Sequence, residues 1–261
     1  MPILQSKLLM LLLAGCLMLP APLAFAQKNS AAKSQAKNQA KSQSNAPGPR
    51  KKLRERISIV YPRFNHPRVS EHTLYLVRTT IENLPAHIYQ ILDEGGATVY
   101  VGTNPLDKFP DSLKVVHPAD GHLFCNEPGR TYKREMYIWE RALAEPGYPE
   151  VGGVRTDADI RLATLMQCAH ALDDCLENLS RDKAYLALYK QDIASMAPQL
   201  RSELSLYCAD RPDAPMEAFG EILMLLTGAR TPLGEKIKAG FPRARMWVDS
   251  TIKAIKPANS R

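Results

Sequence analysis

The 261-residue sequence contains no internal repeat, which excludes solenoid and propeller architectures. Its longest apolar run, residues 8–19, is too short to span a bilayer comfortably. Basic surplus is missing from most of the chain: residues 57–261 hold 24 Lys or Arg against 26 Asp or Glu. With no recognisable nucleic-acid motif either, nucleic acid is not expected as a partner. Cysteine is sparse, five in all, and the hydrophobic and charged fractions are those of an ordinary globular protein.

Residues 1–26 read as a secretory signal: Lys7, the apolar run, then Ala24 and Ala26 flanking Phe25 before Gln27. The competing reading is lipid anchoring at Cys16, because "LLAGC" is lipobox-like; the A-x-A site favours soluble export to the periplasm or the medium. Residues 27–56 read as a disordered linker rich in Lys, Ala, Gln and Ser, and residues 57–261 as the folded domain. Nine basic residues and one acid in 28–56 make that linker a candidate contact for an anionic envelope surface, or a plain spacer.

Export gives the cysteines a meaning. Without Cys16 there remain Cys125, Cys168, Cys175 and Cys208, an even number and so disulfide candidates in an oxidising compartment. On one helix Cys168 and Cys175 lie about 10 Å apart, beyond disulfide reach. Two pairings stay open: Cys125–Cys168 with Cys175–Cys208, or Cys125–Cys175 with Cys168–Cys208.

The pattern is α+β, with small β elements in the N-terminal half and a mainly helical C-terminal half. Ser70 is the expected N-cap of a first helix, Gly95 and Gly96 stop a second, and "ATVYVG" follows as a buried strand. Residues 103–134 read mainly as loop with a short strand near 113–116. "REMYIWE" is a second strand and "AEPGYPEVGG" a loop. A helix over 160–179, capped by Asp157 or Asp159, puts Leu162, Leu165, Ala169, Leu172, Leu176 and Leu179 on a core stripe. Beside the stripe runs a column of Met166, His170, Asp173 or Asp174, and Glu177. Ser180 is the expected cap of the next helix. Later, Asp213 and Pro215 open a helix that carries Glu217 and Glu221 on one face and stops at Gly228.

A zincin needs three protein ligands, a water in the open position and a carboxylate base, commonly as H-E-x-x-H. In "MQCAH" the second histidine is His170. Met166 stands at the first ligand position, and its thioether suits copper better than zinc. Gln167 stands at the base position, and its amide cannot accept the water's proton.

The order of "LP", "ATVYV", "MYIWE", "HALDD", "LSRDKAYLALYKQD" and "EAFGEIL" resembles the zincin domain of anthrax toxin lethal factor and its exported bacterial relatives, over roughly residues 70–255. The resemblance implies a zincin-like fold, with His170 and Glu217 matching two zinc ligands and Glu221 a supporting acid. Asp173 and Asp174 are further supporting acids, and Tyr207 stands near the family's transition-state tyrosine, although its spacing from Glu217 departs from the pattern. A degenerate member of this kind is expected to be a pseudo-peptidase that holds a peptide or protein in the former substrate cleft and needs no cofactor. The alternatives are an active zinc enzyme with an unorthodox ligand set, with His117, His122 and Cys125 as loop donors, and a disulfide-stapled envelope protein.

Overall fold

The computed structural model describes residues 51–115 and 123–255. The leader, Cys16, most of the basic segment, and His117 and His122 lie outside the described residues. The architecture is α+β. Strand β1 (Ile57–Ile59) precedes helices α1 (Glu71–Glu82) and α2 (Ala86–Gly95), then come β2 (Thr98–Gly102), β3 (Gly129–Tyr132) and β4 (Glu135–Trp139). A short hairpin, β5 (Arg141–Leu143) and β6 (Val151–Val154), leads into the long helix α3 (Asp157–Cys175). The rest is helical: α4 (Lys183–Ser195), α5 (Pro198–Glu203), α6 (Ser205–Cys208), α7 (Ala214–Leu226), α8 (Pro232–Gly240) and α9 (Pro242–Ala254). No helix among the described residues is long and apolar enough to cross a membrane.

The main sheet has the order β1-β2-β4-β3, with β3 antiparallel to β4 and the other pairs parallel. Period-two alternation divides its faces. Val99, Val101, Met136 and Ile138 point into the main core with α1, α2 and α3, whereas Tyr137 and Trp139 form a second cluster with Val60 on the opposite face. Tyr137 stacks on Tyr100 at 4.9 Å and on Trp139 at 5.7 Å.

Local chemistry explains most of the boundaries. Ser70 caps α1 by accepting from Thr73 N, and the buried Glu140 accepts from Ser70 N and Thr73 Oγ1, tying the end of β4 to that helix start. Gly96 ends α2 in the left-handed region at φ 81°, a conformation that costs glycine little. The helical half closes on aromatics: Tyr185 meets Phe219 edge-on at 4.9 Å, and Tyr189 stacks on Phe241 at 5.6 Å. Asp192 of α4 accepts from Ala244 N at 2.9 Å and from the Arg243 guanidinium at 3.0 Å, so a buried carboxylate caps α9 from another helix.

Several expectations need correction. The folded domain starts before residue 57, because Leu53 is fully buried and Arg56 pairs with Asp93 at 2.9 Å. Residues 110–113 form a 3-10 turn, Pro110–Leu113, rather than entering a strand. The loop expected over "AEPGYPEVGG", residues 144–153, ends at Glu150, after which β6 begins and pairs back on β5. Helix α3 is capped by Thr156, with Asp159 reciprocating as a capping box, and ends at Cys175 because Glu177 and Asn178 adopt left-handed φ values of 59° and 63°. Asp182, not Ser180, caps α4 by accepting from Ala184 N, since Ser180 is engaged by Asp173.

None of Cys125, Cys168, Cys175 and Cys208 is in a disulfide. The folding pattern separates them: Cys125 packs with Leu106 and Leu143 in a satellite cluster, Cys168 is sealed in the main core, and Cys208 lies 3.8 Å from the Met196 sulfur. Cys175 sits against the α2 terminus, where a Cβ on Gly95 would overlap its sulfur. Packing accounts for the position of each of the four.

Candidate functional site

Helix α3 is the floor of a cleft of about 700 Å3. Its N-terminal half contributes Leu162, Ala163 and Met166, and its C-terminal half His170 and Asp173. One wall is β3 with the turn that follows it; the other is the first turn of α7, with Met216 and Glu217. The expected core stripe is therefore only partly right. Ala169 and Leu172 are buried, but Leu162 faces the cleft, while Ile160, Thr164, Gln167, Cys168 and Ala171 carry the buried surface of the helix.

Met166 and His170, one turn apart, both line the cleft, and Glu217 reaches it from α7. His170 packs closely on α7: a Cβ at Gly220 would lie 3.0 Å from its Cε1. Burial pushes the imidazole below its ordinary pKa, and the carboxylates of Glu217 and Asp173 pull it part of the way back. Asp173 does not behave as a ligand. Its two oxygens accept from Ser180 N at 3.0 Å and Ser180 Oγ at 2.6 Å, which fixes the loop after α3, and burial raises its pKa. Asp174 is placed differently from Asp173, paired with Arg134 at 2.8 Å near the outer end of the cleft.

Gln167 is buried, with Thr131 Oγ1 of β3 donating to its Oε1 at 2.8 Å and to its backbone carbonyl at 3.2 Å. At the position where a zincin places its base, this chain has a strut between helix and sheet. Gly129 makes the contact possible, because a Cβ there would sit 2.8 Å from Gln167 Nε2 and 2.9 Å from the Tyr137 carbonyl oxygen.

Glu221 and Tyr207 form a separate buried pair behind α7 and do not line the cleft. Tyr207 donates to Glu221 Oε1 at 3.2 Å, and Glu221 Oε2 has no partner among the described residues. Burial pushes Glu221 up to about 7, helped by the charge of Glu217 and opposed by the Tyr207 hydrogen bond. The same burial, with the charge of Glu221, raises the Tyr207 phenol. The tyrosine thus serves the carboxyl rather than the cleft.

A stability test follows from Glu221. Its folded pKa lies above the ordinary 4.5, so its contribution is fully present below that value and is lost as pH rises to about 7. At one pKa unit per 1.36 kcal/mol, the loss approaches about 3 kcal/mol. Glu221→Gln keeps the acceptor for Tyr207 and removes the titration. Denaturant melts at about pH 5 and about pH 8 should show the variant gaining stability over the parent by about 2–3 kcal/mol on going to the higher pH. Equal shifts in both proteins would place the titration elsewhere.

The donor set does not fit a zinc ion. Among the described residues no three His, Cys, Asp or Glu side chains are grouped to hold a metal. His170 and Glu217 are two donors, Asp173 is committed to Ser180, and Met166 offers a thioether where zinc takes nitrogen, oxygen or thiolate. Cys125, considered as a loop donor, is buried in its own cluster.

β3, which supplies Gly129, Arg130 and Thr131 to the cleft, falls in a stretch that its composition marks as loop. The available signal was the two-residue spacing between "GRTY" and "EMYIW", a hairpin length. The turn residues are Lys133, at φ 57°, and Arg134, in place of the Asn-Gly that marks such turns.

No family model matches the chain, and no curated protein matches it. Among solved structures the chain is similar to the Pro-Pro endopeptidase PPEP-2 from Paenibacillus alvei, at 14% identity and a TM-score of 0.46, over 76% of this chain and 98% of that one. The lethal factor-like resemblance rests on the order of its motifs alone.

Proposed function

We propose that the chain is a non-catalytic binding module that takes an extended peptide, or an extended segment of a protein, into the cleft alongside β3. The observation that carries this reading is the free edge of β3. Among the described residues it is the last strand of its sheet, paired with β4 alone, and it lines the cleft. An unpaired strand edge offers a row of backbone donors and acceptors that an incoming extended segment satisfies by strand addition.

The two sides of β3 suggest how side chains are received. Thr131 points toward α3, where Gln167 holds it, so inward-facing residues of a bound strand meet Leu162, Met166 and His170. Arg130 lies on the other side, its guanidinium 3.5 Å from the Phe124 ring centre and bridged to Glu127 at 3.4 Å. Chemistry is not supported by the same residues. Gln167 is a neutral amide already engaged by Thr131, and the α3 carboxylates that line the cleft are held by other partners: Asp159 by Thr156, Asp173 by Ser180 and Asp174 by Arg134.

The test is to incubate the full chain with a degenerate pool of capped octapeptides, with and without added zinc, and to analyse retained and free peptides by mass spectrometry. Retention of a subset with every peptide intact is expected. New cleavage products that disappear on chelation would replace this reading with that of an active metallopeptidase. No retention would end the peptide-binding reading itself.

A further inference from the structure

Residues 51–68, "KKLRERISIVYPRFNHPR", run along the other edge of the sheet, where β1 is the outer strand. The segment carries six Lys or Arg and one acid. Lys51, Lys52, Arg54, Arg63 and Arg68 are exposed, whereas Arg56 is tied to Asp93. Cations and a proline flanking an edge strand, as they do here on both sides of Ile57–Ile59, are an ordinary defence against edge-to-edge pairing. That defence does not explain the apolar side chains between them: Ile59 is 48% exposed, Tyr61 81% and Phe64 49%.

Phe64 is the more telling of these. Arg63 O accepts from His66 N at 2.8 Å, closing a turn whose central residues, Phe64 and Asn65, have φ values of 52° and 59°. Positive φ at both centres is the type I′ pattern, which favours Asn, Asp and Gly and disfavours a bulky aromatic. The turn is held from below. Asp107 accepts from Arg63 N at 2.6 Å, and the His66 ring is held between Asp107 Oδ1, 2.9 Å from Nδ1, and the Pro149 carbonyl oxygen, 2.6 Å from Nε2. A buried His–Asp pair therefore fixes a disfavoured turn whose phenyl ring is half-exposed, one side tilted against the His66 ring at 5.9 Å and the other open to solvent. The patch is bounded on the Pro149 side by Glu145 and Glu150, both exposed.

Exposed aromatics interleaved with cations are the composition of a bilayer headgroup interface, where the rings sit at headgroup depth and the cations meet lipid phosphates. From these observations we infer that the β1 edge docks the domain on an anionic bilayer surface, with Tyr61 and Phe64 entering the headgroup layer and Arg63 and Arg68 beside them. The aromatic wedge supplies the second signal that stable peripheral binding needs besides charge.

The test is flotation of the full chain with phosphatidylcholine vesicles and with vesicles that also contain phosphatidylglycerol, beside the double variant Tyr61→Ser/Phe64→Asn. Asparagine suits the left-handed position, and both sites are exposed, so an unchanged thermal melt establishes that the variant is folded. Binding should rise with phosphatidylglycerol, weaken with salt, and fall by about tenfold or more in the variant, as expected on removing two interfacial aromatic rings. Equal binding to both vesicle types would overturn the inference, and so would a folded variant that binds like the parent. The latter result would assign membrane attachment to residues 1–50 and leave the aromatic edge for a protein partner.

Discussion

A Met166→His variant is expected to retain close to one zinc ion per chain through dialysis against a weak chelator, under conditions in which the parent retains none. Residue 166 stands one turn before His170 on the cleft face of α3, and Glu217 enters the same cleft from α7. An imidazole at that place completes a set of two nitrogens and one carboxylate, leaving the fourth tetrahedral position to water. His170 is already suited to the part, since burial lowers its pKa and so favours the neutral ring that binds metal. Removing an outer-shell partner costs about 10–100-fold in metal affinity, so supplying a missing ligand should raise it by at least about a hundredfold. Elemental analysis and a zinc-dependent rise in melting temperature both read this out. A variant that folds like the parent but binds no zinc would mean that His170 and Glu217 do not converge on a common centre.

The second large effect belongs to the contact between β3 and α3. Gly129→Ala should destabilise the domain by about 1–3 kcal/mol, the usual cost of overfilling a packed site. The new methyl would lie 2.8 Å from Gln167 Nε2 and 2.9 Å from the Tyr137 carbonyl oxygen, and only the first neighbour is a movable side chain. In a Gln167→Ala background the same substitution should cost less, with a coupling energy of about 0.5 kcal/mol or more in a double-mutant cycle. Because the displaced strand is the binding edge, peptide affinity should fall about tenfold, equivalent to about 1.4 kcal/mol. Strict additivity in the cycle would show that β3 does not rest on Gln167.

Much of the helical frame was legible in the sequence, because its signals are local. Ser70 and Gly96 mark ends that depend on a single side-chain oxygen and a single left-handed residue. Gly228, at φ 94°, likewise follows the end of α7 as expected. The buried strands β2 and β4 stood out as apolar runs. That Met166 and His170 share the cleft face was legible because helical spacing puts residues four apart together, whereas the same rule paired Glu217 with Glu221, which the fold divides between the cleft and the interior.

What was hidden depends on contacts between distant segments. β3 is short and polar, and only its pairing with β4 makes it a strand. Ser180 and Asp182 are equivalent as caps in sequence; the choice follows from Asp173, which takes the serine. Leu162 fits an unbroken apolar stripe, and nothing in spacing announces that a cleft opens over it. Even cysteine number suggested pairing, but it carries no information on separation, and the fold sends Cys125 and Cys168 to different clusters. Glu221 and Tyr207 were singled out for the site, yet they meet behind it.

The most direct measurement of the central claim is hydrogen exchange across residues 129–132 of the full chain, with and without a peptide recovered from the pool. The account predicts that peptide slows exchange at the outward-facing amides of β3, with further protection in α3 around Met166 and His170 and no shortening of the peptide. Binding that leaves β3 unprotected, or protection accompanied by cleavage, would contradict it.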